Sequence, residues 1–467
     1  MKVFISMPPL DRFIGNATGQ VNQNRQYQEF ESFSVIFPCL LASAATLLKH
    51  QGYDVTFDDA VAEKKKYYIW IREIAKAQPD FIAMEVKTPV IKYYFEIIKD
   101  IKAASPNTKI ILMGDHVVEF PEESLANGVD YVLKTGDYDI ELLNLLEKIE
   151  GKKITKFKSL DELPYIDRDL TCWKNYAYRN GNFKRTPGTY ISSARDCWYS
   201  RCKFCSWSHL YPLCKYRTRS PEDVMGEIKI LVEKYGCKEI MEDSGTIPKN
   251  PWLKRFCELM IETGLNKKIK ISCNARFGEL TKEDYKRMKA AGFRLLLFGI
   301  ESANQKILDD IPKGIKTQDI WDGCKMATQA GLSPHATIMT GTPLETKETV
   351  EETLAFIKKL VNHNYISTWQ STFCVPYPNT RLYKECLEKG LLLVEDGDWE
   401  KFNMRYLIIK TKLSEQETKD YVSAFYKLSF SPMFILHKFL SIRCWADVKY
   451  IWRGARAVIG KHLKDFS

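Results

Sequence analysis

The 467-residue sequence has no uninterrupted apolar run of about 18 residues, so no transmembrane helix is expected. The nearest candidate, FSVIFPCLLASAATLL at 33–48, is broken by Ser34, Pro38 and Ser43 and reads as a buried helix of an α/β layer. MKVFISMPPLDRF at the start carries neither a long apolar run nor a small-residue cleavage site, so no signal peptide is expected either. The 13 cysteines have no repeating framework and are odd in number. That argues against a disulfide scaffold and for reduced thiols in a cytoplasm, where clustered cysteines point to metal or redox chemistry. The chain also lacks a charge excess spread along its length. Of the net charge of +10, +6 lies from Lys427 onward, where eight lysines and arginines face only Asp447 and Asp465. What remains is a soluble globular composition, 45% hydrophobic and 27% charged, in a chain long enough for two or three domains.

Residues 1–150 alternate short apolar runs with helical stretches. KVFISM (2–7), DVTFDD (54–59), FIAMEV (81–86), KIILMG (109–114) and DYVLKTG (130–136) read as strands. Helices are expected over 39–50, 66–77, 91–104, 121–127 and 139–149. This alternation predicts parallel βαβ units in a doubly wound sheet, with ligands outside the carboxyl ends of the strands. Residues 151–187 are polar, contain Pro164 and Pro187, and read as a linker crossing the surface. A second series follows over 188–385, with strands at 188–194, 238–244, 268–275, 293–302, 333–341 and 365–373. Six such repeats predict an incomplete parallel barrel whose active site lies at the strands' carboxyl ends. Residues 386–467 read as a helical, basic C-terminal region.

The segment SSARDCWYSRCKFCSW (192–207) follows the first barrel strand. It places Cys197, Cys202 and Cys205 within nine residues among Trp198, Tyr199, Phe204 and Trp207. Three readings are open. A structural zinc site needs a fourth ligand, for which His209 and Cys214 are the nearby candidates. Three buried, unligated thiols are the second reading. The third is an iron–sulfur cluster held by three thiolates, with one iron left open to a chelating substrate.

Beyond this loop, six motifs in order resemble those of the radical S-adenosylmethionine (SAM) superfamily, and within it the group with an N-terminal cobalamin-binding domain. They are the cysteine loop itself, YRTRSPEDVMGEI (216–228), EIMEDSGTI (239–247), FGIESANQKILDDIPKG (298–314), TIMTGTPLETKE (337–348) and VPYPNTRLY (375–383). The resemblance covers nearly the whole chain. It implies an α/β fold: a Rossmann-like cobalamin domain (1–150), a partial (β/α)6 barrel and the C-terminal helices. It assigns Cys197, Cys202 and Cys205 to a 4Fe–4S cluster, whose open iron would chelate SAM for one-electron cleavage. It places Phe204 beside the adenine, Asp243, Ser244 and Gly245 near the SAM amino group, and Glu301 and Ser302 near the ribose and carboxylate. Thr337 and Gly341 belong to the strand supporting the adenine edge. Arg217 and Arg219 are candidates for the SAM carboxylate, against the alternative of a solvated basic loop. The first cysteine spacer, WYSR, is one residue longer than the three usual in the family.

For cobalamin, the resemblance points to Pro9, Thr88, Gly114, Asp115, His116, Gly136 and Asp137 in the loops after the N-terminal strands. The family's axial-histidine pattern, Asp-x-His-x-x-Gly, reads DRFIGN here, with Phe13 in place of the histidine. No cobalt-ligating histidine is therefore expected from that loop, and a hydrogen-bonded loop histidine is the alternative for His116.

The function implied is methylation or cyclisation at an unactivated carbon of an apolar substrate (lipid, isoprenoid or tetrapyrrole-like) or another small molecule. An external electron donor of flavodoxin or ferredoxin type would be needed. Alternatives are a radical SAM enzyme without cobalamin, an RNA-modifying enzyme and a non-catalytic sensor. Nucleic acid is not expected as a partner, because the N-terminal domain has only Cys39 and no appended RNA-binding barrel is visible. Over 448–463, apolar residues at helical spacing alternate with Lys449, Arg453, Arg456 and Lys461. This pattern suits either a peripheral membrane contact of a cytoplasmic protein or a helix packed on the barrel.

Overall fold

The computed structural model describes residues 1–14, 18–20, 28–30, 35–207, 216–395 and 397–462. His209 and Cys214 lie outside them. Five strands form the first sheet: β1 (Lys2–Met7), β2 (Asp54–Asp59), β3 (Phe81–Glu85), β4 (Lys109–Met113) and β5 (Tyr131–Val132). All are parallel, in the order β2-β1-β3-β4-β5. The side-chain period of two sorts β1 between two cores. Val3 and Ile5 face helices Cys39–His50 and Tyr138–Ile149, while Phe4 faces helices Tyr67–Ala77 and Ile91–Ala104. The order reverses between β1 and β3, which opens a crevice at their carboxyl ends.

The second sheet contains β6 (Gly188–Ile191), β7 (Glu239–Glu242), β8 (Lys270–Ala275), β9 (Phe293–Glu301), β10 (Ser333–Thr340) and β11 (Thr368–Phe373). They are parallel and paired in chain order, giving the expected six-stranded partial barrel. Helices Pro221–Glu233, Trp252–Glu262, Lys282–Ala290, Thr317–Gln329 and Lys347–Asn362 bury their apolar faces against it in one continuous core. Helices Glu415–Lys427, Pro432–Leu440 and Trp445–Ala457 complete the C-terminal region. Among the described residues no helix is long and apolar enough to cross a membrane.

Two segments depart from their expected course. The span read as a surface linker buries Arg168, Trp173, Tyr176 and Phe183, and packs them on Phe37 and Tyr190. Its polar composition conceals this because Arg168 is paired inside, with Glu227 at 2.9 Å and the carbonyl of Tyr190. The stretch after β11 returns to the N-terminal domain: Val375, Tyr377, Trp399, Phe402 and Ile408 join Ile82, Val86 and Val90 in one core.

The two sheets meet at their carboxyl ends. Arg195, just after β6, is buried between Asp137 (2.8 Å) and Asp139 (2.5 Å), which follow β5. Arg217 adds a second contact to Asp137 at 2.8 Å.

Candidate active site

The cysteine loop leaves β6 at the barrel mouth and is braced on both sides by its aromatic residues. Trp198 donates to the carbonyl of Ile247 (3.2 Å) and lies 3.6 Å from the Lys249 ammonium. Tyr199 donates to the carbonyl of Pro312 and carries the Arg276 guanidinium on its ring at 3.5 Å. Lys203, between the second and third cysteines, reaches Asp310 (2.9 Å) and Glu385 (2.8 Å). The four-residue spacer closes as a turn: Asp196 and Ser200 take φ of +73° and +45°, and the Ser200 hydroxyl bonds Asp196 and the Cys197 carbonyl. The additional residue is thus held within a side-chain-bonded turn.

Burial pushes the Cys202 and Cys205 thiols up, and for Cys205 the neighbouring Cys202 and Cys197 push further in the same direction. Three thiolates this close repel one another, so a cationic metal group would stabilise them. Among the described residues no three Cys, His, Asp or Glu side chains converge on a single-ion site. A cubane cluster takes one thiolate per iron and does not need that convergence.

Around the loop, three strand ends contribute polar groups. After β7, Ser244 accepts from the Ala194 N–H at 2.9 Å, and Gly245 lies so close to the loop that an added Cβ would be 3.0 Å from that of Cys197. Thr246 approaches the Cys197 sulfur at 3.6 Å. Glu242 is buried, accepts from the Ser193 hydroxyl at 2.7 Å, and is pushed up by that burial. Asp243 is buried beside it, its N–H bonded to the Ile191 carbonyl.

Glu301, ending β9, has φ of +61° at an irregularity in the pairing with β10. A non-glycine residue in that conformation is strained, and such strain gathers at functional sites. Its carboxylate takes an ion pair from Lys313 (2.7 Å) and a hydrogen bond from Thr337 (3.2 Å). Lys313 in turn lies 5.7 Å from the Phe204 ring. Phe204, Glu301 and Thr337 therefore come together, with Lys313 as a member that sequence reasoning missed; its only signal was a basic residue at the end of the FGIES motif segment.

Other candidates lie elsewhere. Ser302 turns its hydroxyl to Thr353 (3.1 Å) and to the Asn304 N–H, capping the following segment. The Gly341 N–H donates to Glu345. Arg217 and Arg219 are both ion-paired: Arg219 pairs with Asp223 and Glu227, and half-buried Arg217 with Asp137.

Across the interface, Thr88, Asp115 and His116 lie at the ends of β3 and β4 with Glu85 and Tyr377, all buried. Lys87 is 3.5 Å from Glu85 and 3.6 Å from Asp115. Burial raises Glu85 to about 7, with Lys87 opposing and Asp115 adding to the rise. Gly114 has φ of +129°, and a Cβ there would fall 2.0 Å from the Val86 carbonyl oxygen. Its lack of a side chain is thus required by the neighbouring strand end. Pro9 is buried after β1, and Gly136 is buried next to Asp137, whose carboxylate is held by Arg195 and Arg217. The His116 ring bonds Glu123 at 2.9 Å and packs on Phe120 and Trp399, as a hydrogen-bonded loop histidine would.

Residues 191–357 match the radical SAM superfamily. An uncharacterized methyltransferase of Pyrococcus horikoshii is 27% identical over 90% of each chain. The anaerobic magnesium-protoporphyrin IX monomethyl ester cyclase of Cereibacter sphaeroides is 26% identical, over 89% of this chain and 69% of its own. Among solved structures, the radical SAM methyltransferase TsrM from Kitasatospora setae, with cobalamin and a 4Fe–4S cluster bound, superposes with a TM-score of 0.68 over 98% of this chain and 99% of its own, at 14% identity. Residues 191–357, which include the cysteine loop, thus match the radical SAM superfamily, and 98% of the chain shares the fold of a structure solved with cobalamin and a 4Fe–4S cluster bound.

Proposed function

We propose that the chain is a cobalamin-dependent radical SAM enzyme that methylates or cyclises an unactivated carbon of an apolar or tetrapyrrole-like substrate. The observation that carries this reading is the position of Cys197, Cys202 and Cys205: on a braced loop at the barrel mouth, directly under the carboxyl ends of the N-terminal sheet. The similarity to a tetrapyrrole cyclase and to a methyltransferase supports the reaction class and the substrate class.

The residues present fit the three groups. Three thiols suit a 4Fe–4S cluster with an open iron. Buried polar atoms without a hydrogen-bond partner among the described residues lie on both rims: Glu242 Oε2, Asp196 Oδ2 and Thr342 Oγ1 on the barrel side, and Thr88 Oγ1, His116 Nδ1 and Tyr377 OH on the other. Buried polar atoms are rarely left unbonded, so these are natural contacts for polar ligands. Cys197, Cys202 and Cys205 would hold the cluster; Phe204, Glu301, Thr337 and Lys313, with 243–245, would hold SAM; Thr88, Asp115 and Tyr377 would line the cobalamin side. When bound, these groups supply one-electron cleavage of a sulfonium and a methyl carrier, with the electron drawn from an external flavodoxin- or ferredoxin-type donor.

The chain's own work is to position and enclose. The Glu301 carboxylate, fixed by Lys313 and Thr337, would accept from ribose hydroxyls. Phe204 offers a flat apolar face to a base. The Arg195–Asp137–Asp139 contact holds the two rims together.

Anaerobic reconstitution with iron, sulfide and hydroxocobalamin, followed by reductant and SAM, tests the proposal. Formation of 5′-deoxyadenosine by the wild type and none by Cys202→Ser is expected. A reconstituted chain that releases none is a sensor, and one that forms it without retaining cobalamin on gel filtration is a radical SAM enzyme of a different branch.

A further inference from the structure

The opposite end of the barrel, where the strands begin, carries a second concentration of chemistry. A cleft of about 740 Å³ opens beside the first residues of β8, β9 and β10. It is lined by six cations, Lys184, Arg185, Lys270, Lys289, Arg294 and Arg443, and by no carboxylate among the described residues. Arg294 is paired with buried Glu239 (2.5 Å) and Lys184 with Asp447. Arg185, Lys270, Lys289 and Arg443 form no ion pair among the described residues. Their mutual repulsion is visible in the ammonium groups. Burial lowers Lys289, and Lys270, Lys184 and Arg294 lower it further; burial and then Arg185 lower Lys270. Lys438, behind the cleft, is brought to about 8 by burial and by Lys184 and Arg294. A field of this kind calls for a polyanion.

The rim says which kind. Helix Pro432–Leu440 contributes His437 and Leu440 to the cleft and is held to the barrel through Phe434, stacked edge-on against Trp369, and through Lys438, bonded to the Ser367 carbonyl. Its outward side is apolar: Met433, Ile435, Leu436, Phe439 and Leu440 are exposed, Phe439 by 72%, and Trp445 beyond it by 69%. A monomer rarely leaves such a run of large apolar side chains in water without a partner. A free phosphate compound would answer the cations and leave this face uncovered, whereas an anionic bilayer answers both.

We propose that this floor of the barrel docks on an anionic lipid surface, with phosphodiester headgroups in the cleft and Leu436, Phe439, Leu440 and Trp445 in the acyl boundary. The docking helix is thus 432–440. The later helix singled out by its sequence pattern is tied to the barrel, with Arg453 bonded to the Phe183 carbonyl and Tyr450 facing Arg294 at 5.4 Å. The site lies at the far end of the strands from the cysteine loop, so it stands or falls independently of the reaction proposed above.

The test is flotation of the full-length chain with phosphatidylcholine vesicles, with and without phosphatidylglycerol. Partition is expected only onto the phosphatidylglycerol vesicles. The Lys270→Ser/Lys289→Ser variant should partition about thirtyfold less, and Phe439→Ser/Leu440→Ser at least about tenfold less. Both should keep the wild-type circular dichroism melting curve, which separates lost docking from lost folding. Absence of vesicle binding by the wild type overturns the proposal, as does equal partition of wild type and variants, or calorimetric binding of pyrophosphate to the cleft without any vesicle binding.

Discussion

Arg195 is the side chain whose loss should matter most to the assembly of the two domains. It lies buried between Asp137 and Asp139, the latter wholly inaccessible, and it follows directly from the strand that launches the cysteine loop. Arg195→Met keeps most of the volume and removes the cation, leaving the buried Asp139 carboxylate without its cation and Asp137 with Arg217 alone. Breaking a buried pair from one side costs about 3–5 kcal/mol. With a urea slope of about 3 kcal/mol/M, the denaturation midpoint should fall by about 1 M or more. The triple variant Arg195→Met/Asp137→Asn/Asp139→Asn removes both sides of the pair and should recover at least half of that loss. The pH dependence has a definite sign. Burial opposes ionisation of Asp137, but Arg195 and Arg217 outweigh it and hold the carboxyl below its ordinary value. Its contribution is therefore present above the unfolded carboxyl range near pH ~4 and is lost as pH falls further. Arg195→Met should flatten that acid limb. A midpoint within about 0.3 M of wild type at neutral pH, followed by urea titration under circular dichroism, would refute the reasoning.

Two glycines should behave in opposite ways. Gly114→Ala drives a Cβ into the Val86 carbonyl at a positive φ and should cost about 2 kcal/mol or more, whereas Gly454→Ala, in a helix with nothing within 4 Å, should add about 0.5–1 kcal/mol; urea midpoints of the two variants check both. Glu345 is raised to about 7 by burial, against hydrogen bonds from the Gly341 and Thr342 N–H groups. A raised folded value means that its stabilising contribution is complete below the unfolded carboxyl range and is lost as pH rises through about 7. Glu345→Gln should remove about 3 kcal/mol of pH-dependent stability between those limits, measured as urea midpoints across the range.

The parts of the fold legible in the sequence are those set by local pattern. Strands 2–7 and 54–59 and helices 39–50 and 91–104 match the observed elements residue for residue, because their apolar residues, Leu and Ala in 39–50 and mainly Val, Ile and Phe in the others, are bounded by Pro8, Asp58, Gln51 and Ser105. The expected strand 130–136 shrinks to Tyr131–Val132, since Asp130 is committed to Lys102, Lys109 and the Ile110 N–H. What stayed hidden depends on distant partners. Nothing local says that Arg168 is buried against Glu227, that Trp399 returns to the N-terminal core, or that Lys313 folds back on Glu301. In the candidate site, the cysteine loop and Glu301 were singled out by motifs that resemble the family's, and they follow or end barrel strands β6 and β9, whereas Ser302, at the adjacent position, points the other way to Thr353.

The most direct measurement is the iron and acid-labile sulfide content of the anaerobically reconstituted chain, taken alongside the Cys197→Ser/Cys202→Ser/Cys205→Ser variant and a Cys172→Ser/Cys444→Ser control on exposed thiols. The account predicts about four irons and four sulfides per chain in the wild type and the control, and none in the triple variant. Stoichiometric zinc without sulfide in the wild type, or iron and sulfide retained by the triple variant, would contradict it.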